Sequence, residues 1–310
     1  MSAFFFKLHS QIHKIRIMKR TLIWIIAAIA LQSALPYYSA AERQVGIGSD
    51  AGGPSTGQKI FSGIFDESFV STGWKEVFGA AWYHCAAGCE TVAGGLNGNH
   101  SLRVGFPAGA VGPGKGGAQF PVVFDNIKGL DQSHYEELYL SYYLKFEEEF
   151  DFRLGGKLPG LMGGGNSWGR SGGNQPDGTN GWTLRLMWGR NGRLVIYAYV
   201  PPSANGKWGS ERWGQSIDCN FAAERGKWHR IDQYVNVGTP GKDDGKLIVW
   251  IDGVKKISID DMRFWDIENE FGRIGGIFFS TFHGGNSPDW APLRDSYMQF
   301  ADFNVYKPVD

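Results

Sequence analysis

Between Arg153 and Arg193 the chain carries six basic residues, Arg153, Lys157, Arg170, Arg185, Arg190 and Arg193, against one acid, Asp177. Thirteen of these 41 residues are Gly, so the backbone can come close to a ligand and reach positive φ. A cationic, Gly-rich patch is suited to an anionic partner. The plainer reading is a surface loop with solvated arginines. Strand periodicity sharpens the first. In VIYAYV, Tyr197 and Tyr199 share one face, and in TLRLMW, Thr183, Arg185 and Met187 share one face. A hairpin around Asn191–Gly192 joins the two segments. A two-residue turn pairs Arg185 with Ala198, on the face away from the tyrosines. A three-residue loop of Arg190, Asn191 and Gly192 pairs Arg185 with Tyr197 and builds one site from both strands.

The elements that must position these residues read as strands. Segments 137–146, 183–188, 193–200, 229–237, 246–253, 275–282 and 297–307 are rich in β-branched and aromatic residues, and several alternate with period two. Gly, Pro, Asn and Asp cluster between them, and no stretch carries a sustained helical stripe with caps. The pattern predicts an all-β fold, a sandwich of two antiparallel sheets, as one domain over 58–310. Composition agrees. The 310 residues include 12 Trp, 12 Tyr and 21 Phe, too many for a disordered chain, and the 45 Gly follow no collagen period. Basic and acidic residues balance at 31 each, so nucleic acid is not an expected partner.

That balance conceals a basic leader. Residues 1–41 hold Lys7, Lys14, Arg16, Lys19 and Arg20 and no acid, followed by the apolar run TLIWIIAAIAL and small residues at Ser39, Ala40 and Ala41. This order reads as a signal peptide over 1–41, with a Gly/Ser-rich linker over 42–57. The expected product is a secreted or periplasmic monomer with no membrane attachment after cleavage. It keeps 26 basic against 31 acidic residues, about five negative charges. Cys85, Cys89 and Cys219 allow a Cys85–Cys89 bridge or one from Cys219 to either. Metal spacing is absent from the cysteines, so no metal and no cofactor are expected. Structural calcium near Asp243–Asp244 or Asp177 is the one exception weighed.

The runs GGKLPGLMGG, TLRLMWGRNG and VIYAYV, and later GGIFFSTFHGG followed by DW, resemble polysaccharide lyase family 14 in order and spacing over roughly 135–307. These are alginate and related polyuronate lyases, similar in fold to glucuronan lyases. The resemblance implies a β-jelly roll with a concave cleft for an anionic polysaccharide. It also implies catalytic roles for Lys157, Arg185, Tyr197 and Tyr199, with Thr183 where the motif carries a small hydroxyl residue. His283 departs from the pattern, standing where an aromatic is expected. Trp182, Gln233 and His283 join Thr183 as candidate substrate-binding residues, and Trp168, Trp188, Trp208 and Trp213 as further sugar-stacking candidates.

The implied reaction explains the residue types. A uronate lyase removes the C5 proton and expels the C4 oxygen, and the adjacent carboxylate resists the added negative charge. Lys157 and Arg185 suit its stabilisation, Arg by two-point contact. A Tyr serves as base or acid when cationic neighbours lower its pKa, and Tyr197 is the first choice for that role. Two alternatives come from other classes. A jelly-roll glycoside hydrolase needs paired carboxylates; Glu149-Phe150-Asp151 begins such a motif, but Leu154 occupies its last position. A non-catalytic carbohydrate-binding module needs only the sandwich.

Overall fold

The computed structural model describes residues 57–132, 134–164 and 170–309. The signal peptide, nearly all of the linker and Trp168 lie outside the described residues. Among the described residues, fifteen strands form two antiparallel sheets, a β-jelly roll sandwich. One sheet contains β1 (Gln58–Gly63), β3 (Cys89–Val92), β4 (Ser101–Phe106), β6 (Glu137–Phe146), β11 (Trp228–Asn236), β12 (Gly245–Ile251), β13 (Val254–Met262) and β15 (Ser296–Lys307). Its order is β13-β12-β11-β6-β15-β4-β3, with β1 also pairing on β15. The other contains β2 (His84–Cys85), β5 (Ala118–Val123), β7 (Gly155–Gly163), β8 (Thr183–Gly189), β9 (Arg193–Tyr199), β10 (Gln215–Ala222) and β14 (Ile274–Thr281). Its order is β10-β9-β8-β7-β14-β5-β2.

The seven expected strands are present, and their alternation sets the core. Leu138, Leu140, Leu144 and Phe146 of β6 meet Leu184, Leu186 and Trp188 of β8 and Leu194 and Ile196 of β9 between the sheets, all fully buried. At one end Phe65, Phe69, Phe78, Phe120, Phe279 and Phe303 pack in edge-on and stacked pairs, geometry that ring quadrupoles favour. A disulfide joins Cys85 to Cys89, and Cys219 is free and buried. Cys85 ends β2 and Cys89 begins β3, so the bridge ties an edge strand of one sheet to an edge strand of the other.

The Gly-rich segment is a central strand, β7. Its glycines serve packing within the protein. A Cβ at Gly156 would collide with the Trp188 ring, one at Gly160 with the Leu184 carbonyl, and one at Gly163 with the Trp182 indole. Pro159 lies where the register of β7 on β8 shifts, a bulge between Leu158 and Gly160. At that level an amide from the other sheet completes the ladder: Leu161 N–H donates to Gln233 Oε1 (2.9 Å), and Gln233 Nε2 donates to the Leu184 carbonyl (2.8 Å).

Candidate active site

The hairpin fork resolves as the three-residue loop. Arg190, Asn191 and Gly192 form the turn, with Asn191 at φ 57° and Gly192 at φ 78°, the left-handed region that Gly enters without strain. Thr183 then pairs with Tyr199, and Arg185 with Tyr197. Lys157 of β7 pairs with Met187. Lys157, Arg185, Tyr197 and Tyr199 therefore share the outer face of the seven-stranded sheet and line one cleft of about 690 Å³.

Arg185 is 2% exposed. Its partner across β7 is Gly160, so the guanidinium extends over that strand to β14. There Nη1 donates to Ser280 Oγ (3.2 Å) and the guanidinium lies over the Phe278 ring at 4.7 Å. Its Nε is buried without a partner. Lys157 Nζ sits 4.5 Å from the centre of the Tyr197 ring and 3.3 Å from Met187 Sδ. Neither cation has a carboxylate partner among the described residues. Burial, and then Arg185, push the Lys157 amine down to about 7; burial pushes Arg185 down to about 10. A buried charge without an opposite charge is costly, and here two like charges share one wall.

Tyr197 differs from expectation. Burial first, then the hydrogen bond with Tyr199, push the Tyr197 hydroxyl well above its usual value; the neighbouring Arg185 lowers it by less. Desolvation outweighs the cation. The rings of Tyr197 and Tyr199 meet edge-on at 5.3 Å, and Tyr199 Oη accepts from Gly173 N–H (3.1 Å). That contact fastens the Gly-rich loop beside the cleft. Thr183 is buried beneath the same loop, and its hydroxyl donates to the Arg170 carbonyl (2.6 Å).

The other three candidate binding residues turn inward, correcting the expectation of direct substrate contact. Trp182 is fully buried, its indole donating to Gly272 O (2.7 Å) and packing on Phe264. Gln233 is the buried amide beneath the β7 bulge. His283 fills an aromatic's place, 2% exposed among Phe106, Phe150 and Trp188, and burial pushes its pKa down to about 4. His229, which shares the inward face with Gln233, lies between Asp252 (2.8 Å) and Glu224 N–H (2.9 Å).

The cationic strip also divides. Arg153 holds the carbonyls of Ala291 and Asp289, Arg170 holds that of Asn180, and Arg193 pairs with Asp218. Of the six basic residues only Lys157 and Arg185 line the cleft. Asp243 holds Arg263 and Ala204 N–H, Asp244 holds Thr239 N–H, and Asp177 turns back on Thr179. Among the described residues no three His, Cys, Asp or Glu side chains group as metal ligands. The partial hydrolase motif is similarly occupied: Glu149 pairs with Arg294, and Asp151 accepts from Leu293 N–H.

Sequence reasoning passed over Gln119, Met187 and Trp290, which line the cleft. Met187 carried a signal, since it alternates with Arg185 on one strand. Trp188 is core, and Trp208 is mostly buried with its indole on Asp261 (2.8 Å). Trp213, 55% exposed, does reach the cleft.

The polysaccharide lyase 14 family model matches residues 96–303. The marine PL-14 alginate lyase from Aplysia kurodai is 28% identical over 81% of this chain and 100% of its own, with a TM-score of 0.68. Alginate lyase Aly36B (24% identity, 81% and 97% covered, TM-score 0.60) shares the fold. So does the endo-β-1,4-glucuronan lyase from the fungus Trichoderma reesei (11%, 81% and 96%, 0.50). No curated protein sequence matches. With two thirds of its length matched by the family model and the expected residues gathered on one cleft wall, the chain belongs to polysaccharide lyase family 14.

Proposed function

We propose that this polysaccharide lyase cleaves alginate by β-elimination, with Arg185 on the C6 carboxylate, Lys157 as the base for the C5 proton and Tyr197 as the acid for O4. The carrying observation is that buried Arg185 and half-buried Lys157 face a cleft with no carboxylate among the described residues. A uronate brings the missing charge with it, and the cost of holding Arg185 unpaired is recovered on binding. Lys157, lowered to about 7, is substantially neutral near neutral pH and can accept a proton. Tyr197, raised by burial, stays protonated and can give one. The C5–H electrons move toward the carboxylate, where Arg185 meets the developing charge. The C4–O bond then breaks, O4 takes the Tyr197 proton, and a C4=C5 double bond remains. This exchanges the roles first expected for Lys157 and leaves Tyr199 to hold Tyr197 and the Gly173 loop in place.

Alginate is chosen over glucuronan because the Aplysia kurodai relative, at 28% identity, is an alginate lyase. The test incubates the protein with alginate and with glucuronan and follows absorbance near 235 nm. Unsaturated ends from alginate are expected. No rise with any polyuronate overturns the proposal, and saturated oligosaccharides instead would indicate a hydrolase. Export is proposed from the charge and hydropathy order of residues 1–41. N-terminal sequencing of the processed chain would find its start near Ala41 or Glu42.

A further inference from the structure

Arg185 Nη1 donates to Ser280 Oγ, and Ser280 Oγ donates to Gln119 Oε1 at 3.3 Å. A guanidinium only donates, so the Ser280 hydroxyl accepts from Arg185, and it gives its own proton to Gln119 Oε1. The amide thereby turns its Nε2 away from Ser280, and that nitrogen is left without a protein partner among the described residues. Gln119 pairs with Ser280 across β5 and β14, which places both on the outer face, and Gln119 lines the cleft beside Arg185. A donor that is held in place, unpartnered and next to a buried guanidinium has the makings of the second arm of a carboxylate clamp.

We propose that Gln119 Nε2 binds the substrate carboxylate together with Arg185, making Gln119 a substrate-binding residue that selects uronate over neutral sugar. This rests on the polyuronate reading of the same cleft. Arg185 contributes the charge, and Gln119 contributes a neutral donor whose direction Ser280 sets. The pair divides the two carboxylate oxygens between β8 and β5, strands separated in the sheet by β7 and β14. A hydroxymethyl group, as in a neutral hexose, offers no second acceptor of comparable strength.

The test measures binding of a saturated alginate tetrasaccharide and of its carboxyl-reduced counterpart by calorimetry. It uses a Tyr197→Phe background to suppress turnover. Gln119→Ala is expected to weaken the acidic ligand about 10- to 100-fold, the effect of one hydrogen bond to a charged group. Gln119→Glu should weaken it further, because its carboxylate occupies Arg185 and repels the ligand. Neither change should alter binding of the reduced ligand by more than about twofold. Equal losses for both ligands would make Gln119 structural and overturn the assignment, as would unchanged affinity in both variants. Circular dichroism checks that each variant folds, and the two substitutions stress the fold differently. Failure of wild-type turnover on every polyuronate overturns the proposed reaction, while the binding arm still decides the role of Gln119.

Discussion

On the outer face of the eight-stranded sheet, Arg230 meets Asp232 at 2.9 Å, and Arg103 meets Glu147 at 2.8 Å and Glu90 at 2.7 Å. On the central strands of the seven-stranded sheet, Arg185 and Lys157 are more deeply enclosed and meet no carboxylate among the described residues. Both faces therefore hold cations on pleated strands, but the two that line the cleft have no counter-charge among the described residues. A satisfied pair favours a single resting structure. An unsatisfied one makes the folded protein less comfortable alone than with an anion bound. The contrast separates residues kept for the fold from residues kept for the polyuronate.

Replacing one arginine on each face should break the contrast most sharply. Arg185→Met is expected to lower kcat/KM by at least ~10³-fold, since it removes charge stabilisation at the reacting carboxylate. Its thermal midpoint should hold or rise, because a lone buried cation is gone. Arg230→Met should do the reverse, leaving kcat/KM unchanged while stability falls by about 2 kcal/mol as buried Asp232 loses its partner. Steady-state kinetics and thermal melts of the two variants decide this together. A large loss of stability in Arg185→Met would contradict the account.

Gln233→Leu tests the link between the faces. It strips Leu161 N–H and the Leu184 carbonyl of their partner, which should cost about 3 kcal/mol in denaturant unfolding. The preference of the surviving folded enzyme for acidic over neutral ligand should persist, because Gln233 does not reach the cleft.

The pH dependence of Lys157 sharpens the comparison further. Its folded pKa is about 7, against 10.5 unperturbed. Between those values the unfolded chain holds a proton that the folded chain has released, so Lys157 makes stability rise with pH across that window. Below about 7 its full penalty is present. Relative to Lys157→Met, the wild type should be least stable below pH 7 and converge toward pH 10.5, as read from paired melts. In the free enzyme, kcat/KM should fall about tenfold per pH unit below pH 7, as the base becomes protonated.

The smallest effect concerns the edge. Reducing Cys85–Cys89, or replacing both with Ser, releases a short loop that joins the edges of the two sheets, and neither cysteine lines the cleft. About 2 kcal/mol of stability should be lost, a few degrees in Tm, with kcat/KM unaltered.

Much of this was legible in the residues. Strands such as Glu137–Phe146 and Gly245–Ile251 declared themselves by alternation or β-branched density, and the Asn191–Gly192 turn narrowed the hairpin to two registers. Strand parity also places two inward-facing residues. Trp182 precedes Thr183, so if Thr183 faces out, Trp182 faces in. Gln233 alternates with Ile231 and Val235, which marks its face as core. β7 was hidden for a physical reason: its glycines and Pro159 lack strand propensity, and their purpose is room for Trp182, Trp188 and the neighbouring backbone. Pairing was equally invisible. Nothing local distinguishes Arg193, which finds Asp218 on an adjacent strand, from Arg185, which finds no acid among the described residues. Tyr197 misled because burial, a property of the assembled sheet, outweighs the nearby charge.

The position of Gln233 behind the cleft makes the sandwich work like a vernier. Its amide fits between Leu161 and Leu184 in only one phase: a slip of one residue would turn Gln233 to the other face of its strand, and a slip of two would bring Ile231 or Val235 against two dry polar groups. Alignment of the catalytic wall is thus indexed from the sheet that substrate never meets. Loops and side chains around the cleft are free to drift toward new polyuronates while Arg185 and Tyr197 stay in step.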